Sequence, residues 1–288
     1  MLRSILLCLL ILVGTSEASA AVVTFNVGFN ELQHGEVITN QYQDLGLTVS
    51  ALTNRKGNDG MAIGFDSGLS EAKKDNVPRD DFDLLEPWDG GNLVDKGLSS
   101  DQRGVLQQGV MAIIAENEID NDNDGLIDTP DDEAKRPAGY LNFEFDEPIL
   151  SFGIDLMDIE EFGNTKEKGS IEFFGTDADG NEVSKYVLFE EFTDPGSEFY
   201  AANNSPYTPG DFEFENNYAN RVAPITAEAM GMTSFYQVRI NLGGSGAVDN
   251  LVWTKAEAVP EPASLLAWAG LVTAAGWRYR RKRRQATA

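Results

Sequence analysis

The chain has 288 residues, a formal net charge of −25, one cysteine and one histidine. A surface this acidic repels phosphate backbones and draws cations, which argues against nucleic acid as a partner and for a divalent metal. The lone Cys8 leaves no route to an intramolecular disulfide, and His34, in Gln33-His34-Gly35, has no second His or Cys to form a zinc site with and reads as a surface histidine.

At the N-terminus, Arg3 precedes nine unbroken apolar residues, 5–13, and the small residues Ala18-Ser19-Ala20 follow. A short apolar run ending in an A-x-A site is the pattern of a secretory signal peptide, which places residues 1–20 outside the mature chain and cleavage between Ala20 and Ala21. Nine apolar residues are too few to span roughly 30 Å of hydrocarbon. Bulky Leu7 before Cys8, with apolar residues continuing past it, rules against a lipid-modified cysteine.

From Ala21 to residue 258 the composition is that of a folded body. Without Arg3, the six tail cations and Glu17, 15 basic residues face 46 acidic ones, a net of −31 for residues 21–262. Short apolar and β-branched runs separated by Gly, Asn, Asp and Pro predict strands at 22–27, 47–52, 61–65, 110–114, 141–145, 150–157, 170–174, 183–189, 236–242 and 247–253. Alternation is cleanest in 141–145 and 236–242, where every second residue is apolar, as in a strand with one buried face. Ten strands predict an all-β, jelly-roll-like β-sandwich with long loop insertions. Asp177, Asp179 and Gly180 between two of these runs predict a hairpin turn. Residues 54–108, apart from the run at 61–65, and residues 193–220 read as loops. The aromatics of the second (Phe199, Tyr200, Tyr207, Phe212, Phe214, Tyr218) either pin it to the sandwich or stack on sugars, and pinning is the favoured reading.

The acidic insertion 117–133 carries the chemistry. Counting Asp120 as the first position, carboxylates fall on Asp120, Asp122, Asp124, Asp128 and Asp131, at positions one, three, five, nine and twelve, with Gly125 at six. Calcium takes about six to eight oxygens at roughly 2.3–2.6 Å, so a loop coiling round the ion presents alternate side chains inward while glycine permits the sharp turn. The backbone carbonyl of Leu126 supplies a further oxygen. This D-x-D-x-D-G-x-x-D-x-x-D spacing resembles the calcium loops of thrombospondin type 3 repeats and dockerins, which implies Ca²⁺ as cofactor. It departs from a helix-loop-helix hand: position twelve is Asp131 instead of the longer Glu, no amphipathic helix flanks the loop, and Asp132 or Glu133 are alternative closing ligands.

Further on, glycines at 243, 244 and 246 lead into Ala247-Val248-Asp249-Asn250-Leu251. This resembles the closing strand of jelly-roll modules on many proteins with PEP-CTERM tails, and is similar to that of MAM and some carbohydrate-binding domains. Asp249 and Asn250 either bond the backbone of a neighbouring loop or bind a metal or ligand. Polar side chains beside a turn favour the first.

The C-terminus, residues 259–288, reads Val259-Pro260-Glu261-Pro262-Ala263-Ser264, then an apolar helix at 265–277, then a cationic stop at 278–284. Arginines held on the cytoplasmic side would leave the short helix in the bilayer, with Trp268 and Trp277 near its interfaces. Motif, helix and stop in this order resemble the PEP-CTERM sorting tail of exopolysaccharide-producing Gram-negative bacteria. The resemblance implies a partner, the exosortase-type membrane protease, that cuts near Pro260, Glu261 and Pro262 and releases or re-anchors the protein. Signal peptidase is the partner at the other end. The expected location is the cell surface, outer envelope or extracellular matrix, after transient anchoring in the inner membrane.

An enzyme is the weaker expectation. One isolated histidine with no Gly-x-Ser-x-Gly elbow gives no Ser-His-Asp machinery. Neighbouring carboxylates such as Glu160 with Glu161 or Glu190 with Glu191 point to opposite faces of a strand, so neither doublet is a glycosidase pair. The expectation is a non-enzymatic surface or matrix protein stabilised by Ca²⁺. A calcium-dependent module that binds extracellular polysaccharide is the alternative, and a polysaccharide hydrolase or lyase comes last.

Overall fold

The computed structural model describes residues 21–56, 59–68, 84, 108–159, 169–200 and 219–257. Eleven strands follow one another: β1 (Ala21–Val27), β2 (Leu47–Thr53), β3 (Ala62–Asp66), β4 (Val110–Ile114), β5 (Gly139–Ile149), β6 (Ser151–Met157), β7 (Ser170–Thr176), β8 (Glu182–Leu188), β9 (Ala219–Thr226), β10 (Ser234–Leu242) and β11 (Ala247–Glu257). Val23–Lys255 make one compact unit. The remaining described residues, Ala21, Val22, Ala256 and Glu257, are the tips of β1 and β11.

The strands form two antiparallel sheets, ordered β3-β4-β11-β6-β9 with β1 also on β11, and β2-β5-β10-β7-β8. Their inner faces meet through aromatic rings. Phe143 of β5 lies 5.9 Å from Phe152 of β6, and Phe145 lies 5.5 Å from Trp253 of β11, which is itself stacked on Phe25 of β1. Trp253, Phe143, Phe152, Phe173 and Phe235 are all essentially inaccessible. Such large rings supply most of the area that drives a sandwich together. The fold is an all-β sandwich, as the period-two alternation predicts.

The two sheets differ in how their outer faces are finished. On β10 and β7 the outward residues are polar or aromatic and, apart from buried Ser170, half-exposed; Arg239 lies over Tyr140 and Phe174, 4.7 and 4.6 Å from the ring centres. In the other sheet the central strands β4 and β6 are covered on both sides. Along β4 and β6 every residue is buried, and Ile63, Phe65, Met111, Ile113, Met157 and Ala247 form a second apolar cluster with Leu84 and Ile127. Continuous apolar strands of this kind need a cover on each face.

All ten predicted strands are present, with boundaries shifted by a few residues, and the hairpin joins β7 to β8 as expected. Asp177 Oδ1 accepts the N–H groups of Asp179 (2.9 Å) and Asn181 (2.8 Å), and Gly180 takes the left-handed conformation. These bonds, first those from Asn181, hold the Asp177 carboxyl below its ordinary pKa. The eleventh strand, β9, has no counterpart in the sequence reading. It pairs with β6 at the sheet edge and bulges between Val222 and Ile225, where Ala223 and Pro224 stand opposite Gly153 alone. A proline is tolerated at an edge or bulge because no ladder bond is lost there. The expected loop at 193–220 is described only to residue 200 and from 219. Phe199 packs on the main core, consistent with pinning. The loop aromatics Tyr207, Phe212, Phe214 and Tyr218, and most of the loop at 54–108, lie outside the described residues.

Candidate functional site: an acidic loop and a buried carboxylate cluster

The acidic insertion connects β4 to β5. Its ends are closed by a bridge between Ala115 and Asp132, with the Glu116 N–H donating to the Asp131 carbonyl at 2.9 Å. Inside, Asn117 Nδ2 donates to the Thr129 carbonyl at 3.1 Å and its Oδ1 accepts the Ile119 N–H at 3.0 Å. The loop has an apolar foot. Ile127 is buried in the second cluster, its N–H donates to the Gly35 carbonyl at 2.9 Å, and Leu126 pairs with Glu36. A Cβ on Gly35 would stand 2.4 Å from the Ile127 carbonyl oxygen, and φ there is +81°, so only glycine fits. The loop thus serves as part of the cover that the outer face of its sheet requires.

Above this foot the chain turns through left-handed Asn123 (φ 61) and Gly125 (φ 90). Asp122 Oδ1 accepts the Asp124 N–H at 3.2 Å, Asp124 Oδ1 the Leu126 N–H at 2.9 Å, and Asp120 Oδ2 the Gly125 N–H at 3.1 Å. These bonds fold alternate side chains inward, so that one oxygen from each of Asp120, Asp122 and Asp124 lies within 4.8 Å of the others. Asp120 Oδ1 is buried and has no hydrogen-bond partner. The Asp124 N–H lowers the Asp122 pKa, but desolvation and the carboxylates of Asp124, Asp128 and Asp120 outweigh it and leave it raised.

The carboxylates of Asp128 and Asp131 do not join this set. Asp128 Oδ2 accepts the N–H and side-chain Nδ2 of Asn121, at 2.8 and 2.6 Å, and Asp131 contributes its backbone carbonyl to the closure. The alternative ligands Asp132 and Glu133 are bonded elsewhere. Asp132 Oδ2 accepts the Gly246 N–H at 2.6 Å. Glu133 receives Arg55 Nε at 2.9 Å and Nη2 at 2.8 Å, Thr53 Oγ1 at 2.6 Å and the Lys135 N–H at 2.9 Å. Burial opposes the Glu133 charge, but Arg55, Thr53 and the Lys135 N–H outweigh it and hold the carboxyl below its ordinary range.

A second group of acids is buried on the outer face of the sheet that holds β6 and β11. Asp155 of β6 accepts Arg221 of β9 through two bonds, Nε to Oδ1 and Nη2 to Oδ2, both 2.7 Å. Gln108 Nε2 and Asn250 Nδ2 donate to the same Oδ2 at 3.2 and 3.0 Å. Across the ladder from Asp155 stands Asp249, 1% exposed, with neither carboxylate oxygen hydrogen-bonded. Burial, foremost, and the charges of Asp155 and Glu31 push its pKa up to about 8, against the pull of Arg221 and of an Asn250 N–H that lies outside hydrogen-bond geometry. The two residues of the Asp-Asn pair therefore part company: Asn250 bonds side chains of β6 and of the approach to β4, whereas Asp249 bonds nothing.

Asp155, Arg221 and Gln108 were not singled out from sequence. A charged residue inside the apolar run 150–157 is the signal for Asp155, since a carboxylate in a doubly covered strand demands a cation. His34 is half-buried, its Nδ1 accepting the Asp66 N–H at 3.0 Å and its ring set edge-on to Phe65, which corrects the surface reading.

Of the processing residues, Ala21 begins β1, while Ala18, Ala20, Pro260, Glu261, Pro262 and the apolar stretch 265–277 lie outside the described residues. Among the described residues no helix is long and apolar enough to cross a membrane. No family model, no curated protein and no solved structure matches the chain.

Proposed function

We propose that this protein is a non-catalytic component of the cell surface or polysaccharide matrix, exported through its signal peptide and sorted by its PEP-CTERM-like tail, whose jelly-roll-like sandwich is stabilised by Ca²⁺ at the loop of Asp120, Asp122 and Asp124. The observation that carries the calcium reading is the convergence of those three carboxylates, with Asp120 Oδ1 buried and without a partner. Like charges held this close repel unless a cation sits among them. The loop also covers the second apolar cluster through Ile127, so ion binding there is coupled to the fold. The non-catalytic reading rests on the sequence, and on His34, the one histidine, being engaged by a backbone N–H.

Calorimetric titration of the parent against the triple variant D120A/D122A/D124A tests the metal. Calcium should bind the parent and raise its melting temperature, and the variant should fold but lose that site. Equal binding by the two proteins sinks the assignment. Mass spectrometry of cell-surface material tests export. The chain should begin at Ala21 and lack residues 278–284, and recovery of the intact basic stop refutes sorting.

One observation favours the alternative of a calcium-dependent carbohydrate module. A cleft of about 280 Å³ combines Phe25, Phe145 and Trp253 with Asp44, Asp146 and Lys255, the mixture of apolar and polar groups that sugars require. A glycan array with and without chelator decides between the two readings.

A further inference from the structure

We propose that Asp249 is the centre of a second cation site, on the outer face of the β6–β11 pair beneath the turn after β1 and independent of the acidic loop. Strand β11 pairs with β4 at Ala247 and Val248 and with β6 as far as Asp249. There it bulges: Asn250 turns left-handed (φ 48), and pairing resumes only at Val252 with Gly153. Facing the bulge is the turn after β1, where buried Phe29 is left-handed too (φ 48). Gly28 marks the meeting point. A Cβ built there would lie 3.3 Å from Asn250 Oδ1, 3.7 Å from Asp249 Oδ1 and 3.2 Å from Asn30 Nδ2. The side-chain oxygens of Asp249 and Asn250 therefore converge on a place that any side chain at position 28 would fill.

The carboxylate at this place has no hydrogen-bonded partner. Arg221 pulls on this charge while giving Nε and Nη2 to Asp155, and the further acid that bears on Asp249 is Glu31, exposed on the β1 turn and beside the buried Tyr42 hydroxyl. An ionised carboxylate sealed from water with neither oxygen bonded is among the costliest arrangements a fold can hold, and the isosteric Asn would avoid it. Protonation alone leaves the same atoms without partners. A cation satisfies both oxygens at once. Asp249 and the Asn250 amide oxygen are hard oxygen donors, and their mixture of carboxylate and amide suits Ca²⁺, which accepts irregular coordination and completes its shell with water, better than Mg²⁺, which demands a near-ideal octahedron. An open cleft of about 410 Å³, lined by Asn26, Gly28, Arg221 and Asn250, adjoins the bulge.

The test is calcium stoichiometry by equilibrium dialysis on the full chain, with melting curves in calcium and in chelator. The parent should hold two ions, the loop variant D120A/D122A/D124A one, Asp249→Asn one, and the four-site combination none. In chelator Asp249→Asn should melt above the parent, because it removes a buried unpaired charge, while its rise in calcium is smaller than the parent's. Should Asp249→Asn fail to fold, the loop variant decides: one retained ion and a chelator-sensitive melt uphold the site. A folded loop variant with no ion overturns it, as does Asp249→Asn with the parent's full stoichiometry. Failure of the loop assignment looks different, with one ion in the parent, one in the loop variant and none in Asp249→Asn.

Discussion

The two acidic regions solve opposite problems. Asp122 and Asp124 stand at the surface, where water screens part of their repulsion and each accepts one backbone N–H through Oδ1. Asp155 and Asp249 lie side by side across a ladder with almost no access to water. There, each charge must be met by a specific group. Asp155 has Arg221, Gln108 and Asn250, and Asp249 has none of the protein's own. Acid count alone says little about metal; what matters is how many of the oxygens the protein itself already satisfies.

The sharpest way to break this contrast is to remove the guanidinium that pairs with Asp155. Arg221→Met leaves Asp155 buried beside Asp249 with two amide donors, and the expected loss is about 3–5 kcal/mol, the usual effect of stripping one partner from a buried pair. Urea unfolding measures it, and a loss below about 1 kcal/mol would mean that water reaches Asp155 freely.

Next comes pH, with divalent ions removed. Asp249 has its folded pKa raised to about 8, so between the ordinary carboxylate range and pH 8 the folded chain binds more protons than the unfolded one. Stability contributed by this group is therefore fully present below about pH 4, falls as pH rises, and levels off above pH 8. Relative to Asp249→Asn, the parent should lose a few kcal/mol across that window, about 1.4 kcal/mol for each tenfold difference in proton affinity between the folded and unfolded chains. Saturating calcium should abolish the difference, since the ion holds the carboxylate ionised on both sides of the window. A flat difference in chelator would place the carboxylate in contact with water.

Ile127→Ala tests whether the exposed loop belongs to the sandwich. Removing its buried side chain from beneath the outer cluster should cost about 2–4 kcal/mol and make the segment 117–130 more sensitive to protease, while calcium recovers part of the loss. Smallest is Gly125→Ala. A Cβ there meets nothing within 4 Å, so the cost is the left-handed backbone alone, about 1 kcal/mol, with a matching loss of calcium affinity.

The contrast also explains what could be read beforehand. Strands β5 and β10 were legible because their outer face is wet, so polar residues alternate with apolar ones. The acidic loop was legible because its groups are neighbours in sequence. The buried cluster was not, since Gly28, Glu31, Gln108, Asp155, Arg221 and Asp249 come from five distant stretches that only sheet pairing brings together. Arg221 was doubly hidden, lying on a strand whose Asn220, Arg221 and Pro224 argue for a loop. Position at an edge, next to a bulge, overrode that local preference.

That same proline bears on how copies of the chain behave when crowded. An outermost strand ordinarily offers a row of free N–H and C=O groups on which a neighbour's strand can build, the route to fibres. Pro224 offers no N–H and sits in a bulge, so an incoming strand meets a gap in the row partway along β9. A protein concentrated at high local density can then crowd against its own copies without that edge being extended from one molecule to the next.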